Sequence, residues 1–560
     1  MGTISDKLMR IINTKEDIRQ ALISKGYDVP TSIPFKEYAK MISDLPCRVD
    51  SFPDIEGIVA RYSALGLTNE QMATNPVWVD KTGNGHDLQL KNFSWKGMSG
   101  VGGYGDENHQ TFYKFTLDDY VFIASPPGAK HMNFTFRVTG LQPGNKLTLA
   151  FFGTTNTVYS TWNKDGIYTV DADIVEAGKP TYFYNGYGAT RGEFTIEILP
   201  LYPGALVFDG VDDYGVCDNF PILTKEKGYT VVALRQWDQD FLNTTLTGGL
   251  LSTRNYSTGE GVAFEKIESS NKGYWNLGAG GIIDFAKSPF TWQTSKQYNN
   301  VGILKGDKNH GKPLCVGCGL SGGQQCGRFA IWELVFLDHD ATEEELTKIK
   351  DYFVKTYPWL FPDQAWTVVG KTNEDEDRAT IANITGNGND LVLSNFGFAE
   401  GSGYNEEGEY AGYLVTDGVD DKIISSIFKM GNDWTVIGDW ELINTGKNDN
   451  AGIVKFDSIV IYNYNYNSML INIKNGRNIL IPDQNTVNAI CSDGRIYSKD
   501  WKESIYNEET ESTSKNFLTI GYSGNAYTKI AFKNLAIYPT VLSREDCIKA
   551  YNYLQTLKAK

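Results

Sequence analysis

The sequence predicts a mainly β chain that contains one domain twice. Three observations carry this. Aromatic residues make up 13% of the 560 residues, led by 32 Tyr, beside 57 Gly. Aromatic and β-branched side chains suit pleated surfaces, and Gly supplies the positive φ of tight turns. The apolar runs are short and bounded by Gly, Asn, Asp or Lys, as strands are. Finally, two stretches recur. Tyr202–Asp213 (Tyr-Pro-Gly-Ala-Leu-Val-Phe-Asp-Gly-Val-Asp-Asp) reads like Tyr410–Asp421 (Tyr-Ala-Gly-Tyr-Leu-Val-Thr-Asp-Gly-Val-Asp-Asp), and Thr82–Phe93 reads like Thr385–Phe396.

The two recurrences lie at offsets of 208 and 303, and Thr68-Asn-Glu70 matches Thr372-Asn-Glu374 at 304. The first copy therefore carries an insertion of about 95 residues, the difference between the offsets, which is the size of a small domain.

Residues 1–46 read as a helical module. Ile4, Leu8, Ile11 and Ile12 keep a helical stripe, as do Ile18, Leu22 and Ile23. Thr14 with Asp17 resembles a capping box, and Gly26 is a stop. A further helix starts at Ser32-Ile-Pro34 and carries Phe35 and Tyr38. Forty-six residues bury little, so Leu8, Ile11, Ile18, Leu22, Phe35 and Tyr38 are candidates for docking onto a partner.

The first large domain is discontinuous, 55–104 plus 201–360, with strand signals at Tyr229–Arg235, Gly261–Phe264 and Phe329–Phe336. It closes on a helix with a Thr342-Glu-Glu-Glu345 capping box and Leu346, Ile349, Tyr352 and Phe353 on one face. The insertion, 105–200, carries strand patterns of its own at Asn133–Val138, Lys146–Phe152, Asp165–Val170 and Gly192–Leu199, which fit a small β-sandwich. The second copy, 363–560, repeats the plan: Trp434–Ile437 matches Tyr229–Val232, Leu518–Ser523 matches Leu314–Gly319, and Ser543–Asp546 caps the last helix.

The order Thr-Gly-Asn-Gly-x-Asp-Leu, then Asp-Gly-Val-Asp-Asp, then strands and a capped terminal helix resembles the concanavalin A-like, laminin-G-type jelly rolls. The resemblance covers 55–104 and 201–560. The N-terminal stretch Ser5–Gly26 with Pro34–Ile42 is similar to the helical segment that begins many tail-fibre and virion proteins of phages infecting gut Bacteroidales. The first resemblance implies two jelly-roll sandwiches, the first interrupted by a small β-sandwich, behind a short α-helical module. The second implies a virion protein made in the host bacterial cytoplasm, attached to other virion proteins through 1–46, and a homo-oligomer such as a trimer.

Bulk properties exclude several classes. A net charge of −16 with no basic stripe argues against nucleic acid. No apolar run of about 18 residues occurs, so no membrane insertion is expected. The first residues turn polar at once and lack a signal-peptide core. Seven scattered Cys, an odd number, do not read as a disulfide framework and point to a reducing place of synthesis.

Candidate sites are few. Asp209, Asp212 and Asp213, with Asp417, Asp420 and Asp421, are clustered carboxylates on turns, and calcium is the one cofactor they could take. Turn chemistry explains them as well, and duplication favours that reading. His310, Cys315, Cys318 and Cys326 are the zinc-type residues, but the second copy has Thr519 and Tyr522 at two of these positions, so packing is the expectation and no metal is assigned. No paired-carboxylate strand, Gly-x-Ser-x-Gly elbow or His-Glu-x-x-His is present, so no catalytic residues and no enzyme activity are expected. Tyr462, Tyr464 and Tyr466 alternate with Asn, which on a strand places the three Tyr on one face. That face could stack sugars, as could Trp162 of the insertion; equally, the Tyr could face the core and the Asn water. The reading is a non-enzymatic virion protein presenting lectin-like domains to host surface polysaccharide, with a structural head-fibre, collar or decoration protein, or a polysaccharide-degrading enzyme, as alternatives.

Overall fold

The computed structural model describes residues 52–559, with its longest gaps at 186–193, 254–262, 285–312, 444–451 and 506–514 and shorter ones elsewhere. The anchoring candidates Leu8, Ile11, Ile18, Leu22, Phe35 and Tyr38 lie outside the described residues, as do Tyr466 and His310. Three helices are described, α1 (Asn69–Thr74), α2 (Glu343–Thr356) and α3 (Arg544–Leu554); the rest is strand and turn. The chain is mainly β, and its sheets pack as sandwiches.

Each copy is built around one long central strand. In the first it is Arg328–Leu337, paired along one edge with Thr230–Trp237 and along the other with Ile58–Ser63 and then Leu206–Asp209. In the second it is Ile530–Tyr538, paired with Thr435–Leu442 on one side and with Gln364–Thr367 and then Tyr413–Val415 on the other. Both ladders carry a bulge at matching places, Leu234/Arg235 and Asp439/Trp440. Alternation along Arg328–Leu337 sends Phe329, Ile331, Leu334 and Phe336 into the sandwich and Ala330, Trp332, Val335 and Leu337 to the opposite face.

That opposite face is also buried, because helices cover it. Helix α2 begins at Thr342, whose hydroxyl accepts from the Glu345 amide while Glu345 Oε2 accepts from the Thr342 amide at 2.8 Å. The capping box fixes the start, and Leu346, Ile349, Tyr352 and Phe353 form the buried stripe. Each such side chain contributes roughly 1.5–3 kcal/mol of burial. Helix α3 repeats the device with Ser543 as its cap. Each copy thus has a sheet covered on both faces.

The other sheet of each sandwich is different. In the second copy it runs from Thr380–Ile381 through Leu391–Ser394, Lys422–Ser425, Leu518–Ile520, Gly452–Phe456, Ile459–Asn465 and Ser468–Ile473 to Arg477–Ile481. Leu391 and Leu393 are buried while Val392 and Ser394 are exposed, and Leu88–Lys91 alternates in the same way in the first copy. This is the pattern of a sheet with one face in the core and one in water. These are called the open sheets below.

The two sandwiches are docked on one another. One buried cluster contains Val232, Leu234, Ala330 and Trp332 of the first with Tyr538, Ile548, Tyr553 and Leu554 of the second, together with Trp359 and Leu360 of the connection. Trp332 and Tyr553 pack edge to face with ring centroids 6.1 Å apart. The Tyr538 hydroxyl donates to the Trp359 carbonyl at 3.0 Å, and Gln236 Nε2 donates to Thr556 Oγ1 at 3.4 Å.

The inserted stretch forms two four-stranded sheets from strands between Phe112 and Leu199, with Phe136, Val138, Leu147, Leu149, Ile196 and Ile198 between them. The chain leaves the host after Gly100–Val101 and re-enters it at Leu206–Asp209, which pair with each other.

One cysteine reading is corrected. Cys318 and Cys326 are joined in a disulfide, and Cys315 beside them is not part of that bond. The zinc set therefore loses two ligands to each other. The pairing is a cross-strand one, Cys318 opposite Cys326. In the second copy Tyr522 stands opposite Tyr527 at the same place, which is why the sulfur pair has no counterpart to betray it.

Candidate functional site

The repeated acidic turns are closed knots of hydrogen bonds. Asp209 Oδ1 accepts from the Val211 amide at 2.7 Å and from the Asp212 amide at 3.4 Å. Asp213 Oδ2 accepts from the Asp209 amide at 3.1 Å, and its Oδ1 accepts from Ser99 Oγ at 3.0 Å. The second copy repeats this: Asp417 Oδ1 takes the Val419 amide at 2.7 Å, Asp421 Oδ2 the Asp417 amide at 2.7 Å, and Asp421 Oδ1 the Ser402 hydroxyl at 3.1 Å. Gly210 sits at φ 78°, and a Cβ there would lie 2.8 Å from Arg328 Cβ, so the turn needs glycine on both counts.

The other repeated residues hold the same loops. Asn92 and Asn395 take φ of 67° and 69° and donate to the carbonyls of Asp212 and Asp420 at 3.0 and 2.9 Å. Asn69 clasps both backbone groups of Val101, as Asn373 does those of Tyr404. In the Thr-Gly-Asn-Gly turns, Asp80 Oδ1 accepts from the amides of Arg61 and Thr82, both at 3.0 Å, and Asn383 Oδ1 does the same for Ala365 and Thr385 at 3.2 and 3.1 Å. The exposed Asn84 and Asn387 reach back to the carbonyls of Val59 and Asp363. None of these turns opens a helix, so no phosphate cradle forms.

The electrostatics of the knots are lopsided. Burial, and then the neighbouring Asp209 carboxylate, push Asp213 up to about 8 against the donor bonds it accepts; burial pushes Asp421 up to about 6. The carboxylates of each triad lie within 4.8 Å of one another. A cation would be met by Asp209 and Asp212, or by Asp417 and Asp420, with the third carboxyl spent on the turn. Calcium takes about six to eight oxygens, so the triads by themselves do not fit a dedicated calcium site.

The raised values have a consequence for stability. In the folded chain Asp213 and Asp421 hold protons that the unfolded chain releases near its ordinary carboxylate range. Their contribution is full below about pH 4 and is lost as pH rises, through about 6 for Asp421 and about 8 for Asp213. Asp213→Asn carries no such dependence. Its melting temperature relative to the parent chain is expected to become steadily more favourable between pH 6 and 9, a trend that thermal melts across that range check.

Trp162 of the insertion is half-buried and packs its ring 4.9 Å from Phe136 and 5.4 Å from Tyr168, at the edge of the insert core. Tyr462 and Tyr464 lie on the strand Ile459–Asn465 of the second open sheet. Register decides their side. Ile461 stands opposite Val454, and Val454 opposite Ile520, a residue of the core cluster. Ile461 is therefore in register with the core row, and the adjoining Tyr462, paired with Leu470, stands one position out of it. Lys455, Val460, Asn472 and Asn478 pair in one row across these strands. Tyr464 falls at a register shift between Asn463 and Asn465, which breaks the simple alternation. Sequence alone missed Lys455, Asn472 and Asn478, because only strand pairing brings them beside Tyr462.

No family model matches the chain, and no curated protein matches it. Solved structures similar to it include Trypanosoma rangeli sialidase in complex with sialic acid, at 9% identity and a TM-score of 0.26, covering 79% of this chain and 82% of that one. They also include the botulinum neurotoxin serotype D ligand binding domain in complex with N-acetylneuraminic acid, at 10% identity and a TM-score of 0.23, covering 60% of this chain and 87% of that one. The expectation that the chain is not an enzyme is corrected by this finding, since the sialidases are enzymes. The likeness does not assign an activity to this chain.

Proposed function

We propose that the chain is a carbohydrate-binding component of a phage virion. It holds surface polysaccharide on the open sheet of its second sandwich and joins other virion proteins through residues 1–46. One observation supports the glycan reading: Ile461 pairs through Val454 with the core residue Ile520, and Tyr462 is the next position along that strand. An aromatic ring offers an apolar face to the C–H side of a sugar, while Asn and Lys groups suit its hydroxyls. The virion reading is supported by the resemblance of the N-terminal helical stretch.

A glycan array and intact capsular polysaccharide, probed with the full chain, test this, with reducing-sugar release measured in parallel. Binding at or below millimolar concentration is expected, weakened about tenfold in Tyr462→Ala, which is about 1.4 kcal/mol. Absence of binding at millimolar concentration contradicts the reading. Immunogold labelling of particles tests the virion placement separately.

A further inference from the structure

The disulfide lies against the acidic turn of the first sandwich. Cys318 Sγ is 3.4 Å from the carbonyl oxygen of Asp213; a disulfide sulfur has no proton, so this is a packing contact. Tyr214, the next residue, packs on the cluster of Cys315, Cys318 and Cys326. The short hairpin that carries the bond, Cys318–Leu320 with Gln324–Cys326, is pressed against its surroundings through glycines. A Cβ on Gly249 would lie 2.1 Å from the Gly319 nitrogen, and one on Gly317 would lie 2.5 Å from Phe208 and 2.7 Å from the Asp213 carbonyl oxygen. Backbone contact this close leaves the hairpin no room to shift while the bond is intact.

The second copy reaches the same arrangement without sulfur. Tyr522 pairs with Tyr527 where Cys318 pairs with Cys326, Lys422 replaces Tyr214, and the Lys422 ammonium sits 5.6 Å from the Tyr527 ring centroid. Thr519 replaces Cys315. Only the first sandwich can therefore answer to a reductant through this hairpin.

We propose that the Cys318–Cys326 bond is a redox-operated latch on the acidic turn of the first sandwich, opened by a dithiol reductant. A reductant thiolate attacks Cys326 Sγ, since Cys326 as a residue is 5% exposed against 0% for Cys318 and the exposed Gln324 and Gln325 lie beside it. The sulfur–sulfur bond breaks and Cys318 leaves as a thiolate that takes up a proton. The second reductant thiolate then displaces Cys326, so that the reductant becomes a disulfide and the chain gains two thiols. Cys315 does not compete: it is buried, and burial pushes its thiol up to about 12, which keeps it protonated. Opening is thus reversible, without exchange of partners.

Hydrogen exchange on the full chain, with and without a water-soluble dithiol, reads this directly. Protection is expected to fall at least about tenfold over Asp209–Cys217 and Gly248–Ser252 on reduction, while Asp417–Ser425 stays unchanged as the internal control. Cys318→Ser with Cys326→Ser is expected to match the reduced chain and to ignore the dithiol, and Cys315→Ser to respond as the parent does. Equal protection at Asp209–Cys217 in the two states, with thiol counting showing the bond reduced, would overturn the latch. So would a bond that the dithiol leaves intact in the folded chain, or a Cys315→Ser variant that no longer responds.

Discussion

Arg61→Ala is expected to destabilise the chain by about 3–5 kcal/mol, measured by denaturant unfolding. Arg61 is 4% exposed and Glu333 is fully buried. Arg61 Nε donates to Glu333 Oε2 at 3.1 Å, and Arg61 Nη2 donates to Tyr352 Oη at 2.8 Å. The Tyr357 hydroxyl donates to Glu333 Oε1 at 2.7 Å, and the guanidinium lies 4.1 Å from the Phe52 ring centroid. Removing the cation strands a carboxylate between the covered sheet and helix α2, and desolvation without a partner dominates the loss. The second copy supplies the remedy. Ala365 and Asn534 stand at the positions of Arg61 and Glu333, as the matching pairs Ser63–Glu333 and Thr367–Asn534 show. The double variant Arg61→Ala with Glu333→Asn is therefore expected to lose less than Arg61→Ala alone. A double variant at least as damaged as the single one would show that the packing, and not the stranded charge, sets the cost.

Trp332→Ala is the second large effect, about 3–5 kcal/mol from the cavity and lost transfer energy. Trp332 is 1% exposed on the face of the first sandwich that meets helix α3, and its Nε1 donates to the Pro203 carbonyl at 2.9 Å. Its ring meets Tyr553 at 6.1 Å and Tyr202 at 6.4 Å. Because this contact joins the two sandwiches, the expected signature is more than a lower melting temperature. Calorimetry of the parent chain is expected to show the two sandwiches melting together, and the variant to split the transition in two.

The repeated turns were legible in sequence, since turn chemistry is local: Gly210 with Asp213, or Asn92 with its positive φ, can be read without knowing what lies across the sheet. The capped helices were legible for the same reason, as Thr342 and Glu345 are three residues apart. What escaped was whatever depends on distant pairing. The second copy carries Lys533 where the first has Trp332, so nothing in the repeat marks a docking face. The disulfide was hidden because its counterpart is a Tyr pair. The register of Tyr462 was open because alternation states only that two faces differ; the pairing of Ile461 through Val454 to Ile520 needs the strand partners. The bulge at Tyr464 could not be foreseen from an unbroken Tyr-Asn alternation.

On the proposed reading the repeated acidic turns hold the fold and the open sheet of the second sandwich holds the ligand. Calorimetric titration of the full chain with a capsular oligosaccharide tests it most directly, comparing the parent, Tyr462→Ala and Val419→Ala. Val419 is the 69%-exposed tip of the second acidic turn. Affinity is expected to fall about tenfold in Tyr462→Ala and to stay unchanged in Val419→Ala. Affinity lost at Val419 and kept at Tyr462 would contradict it.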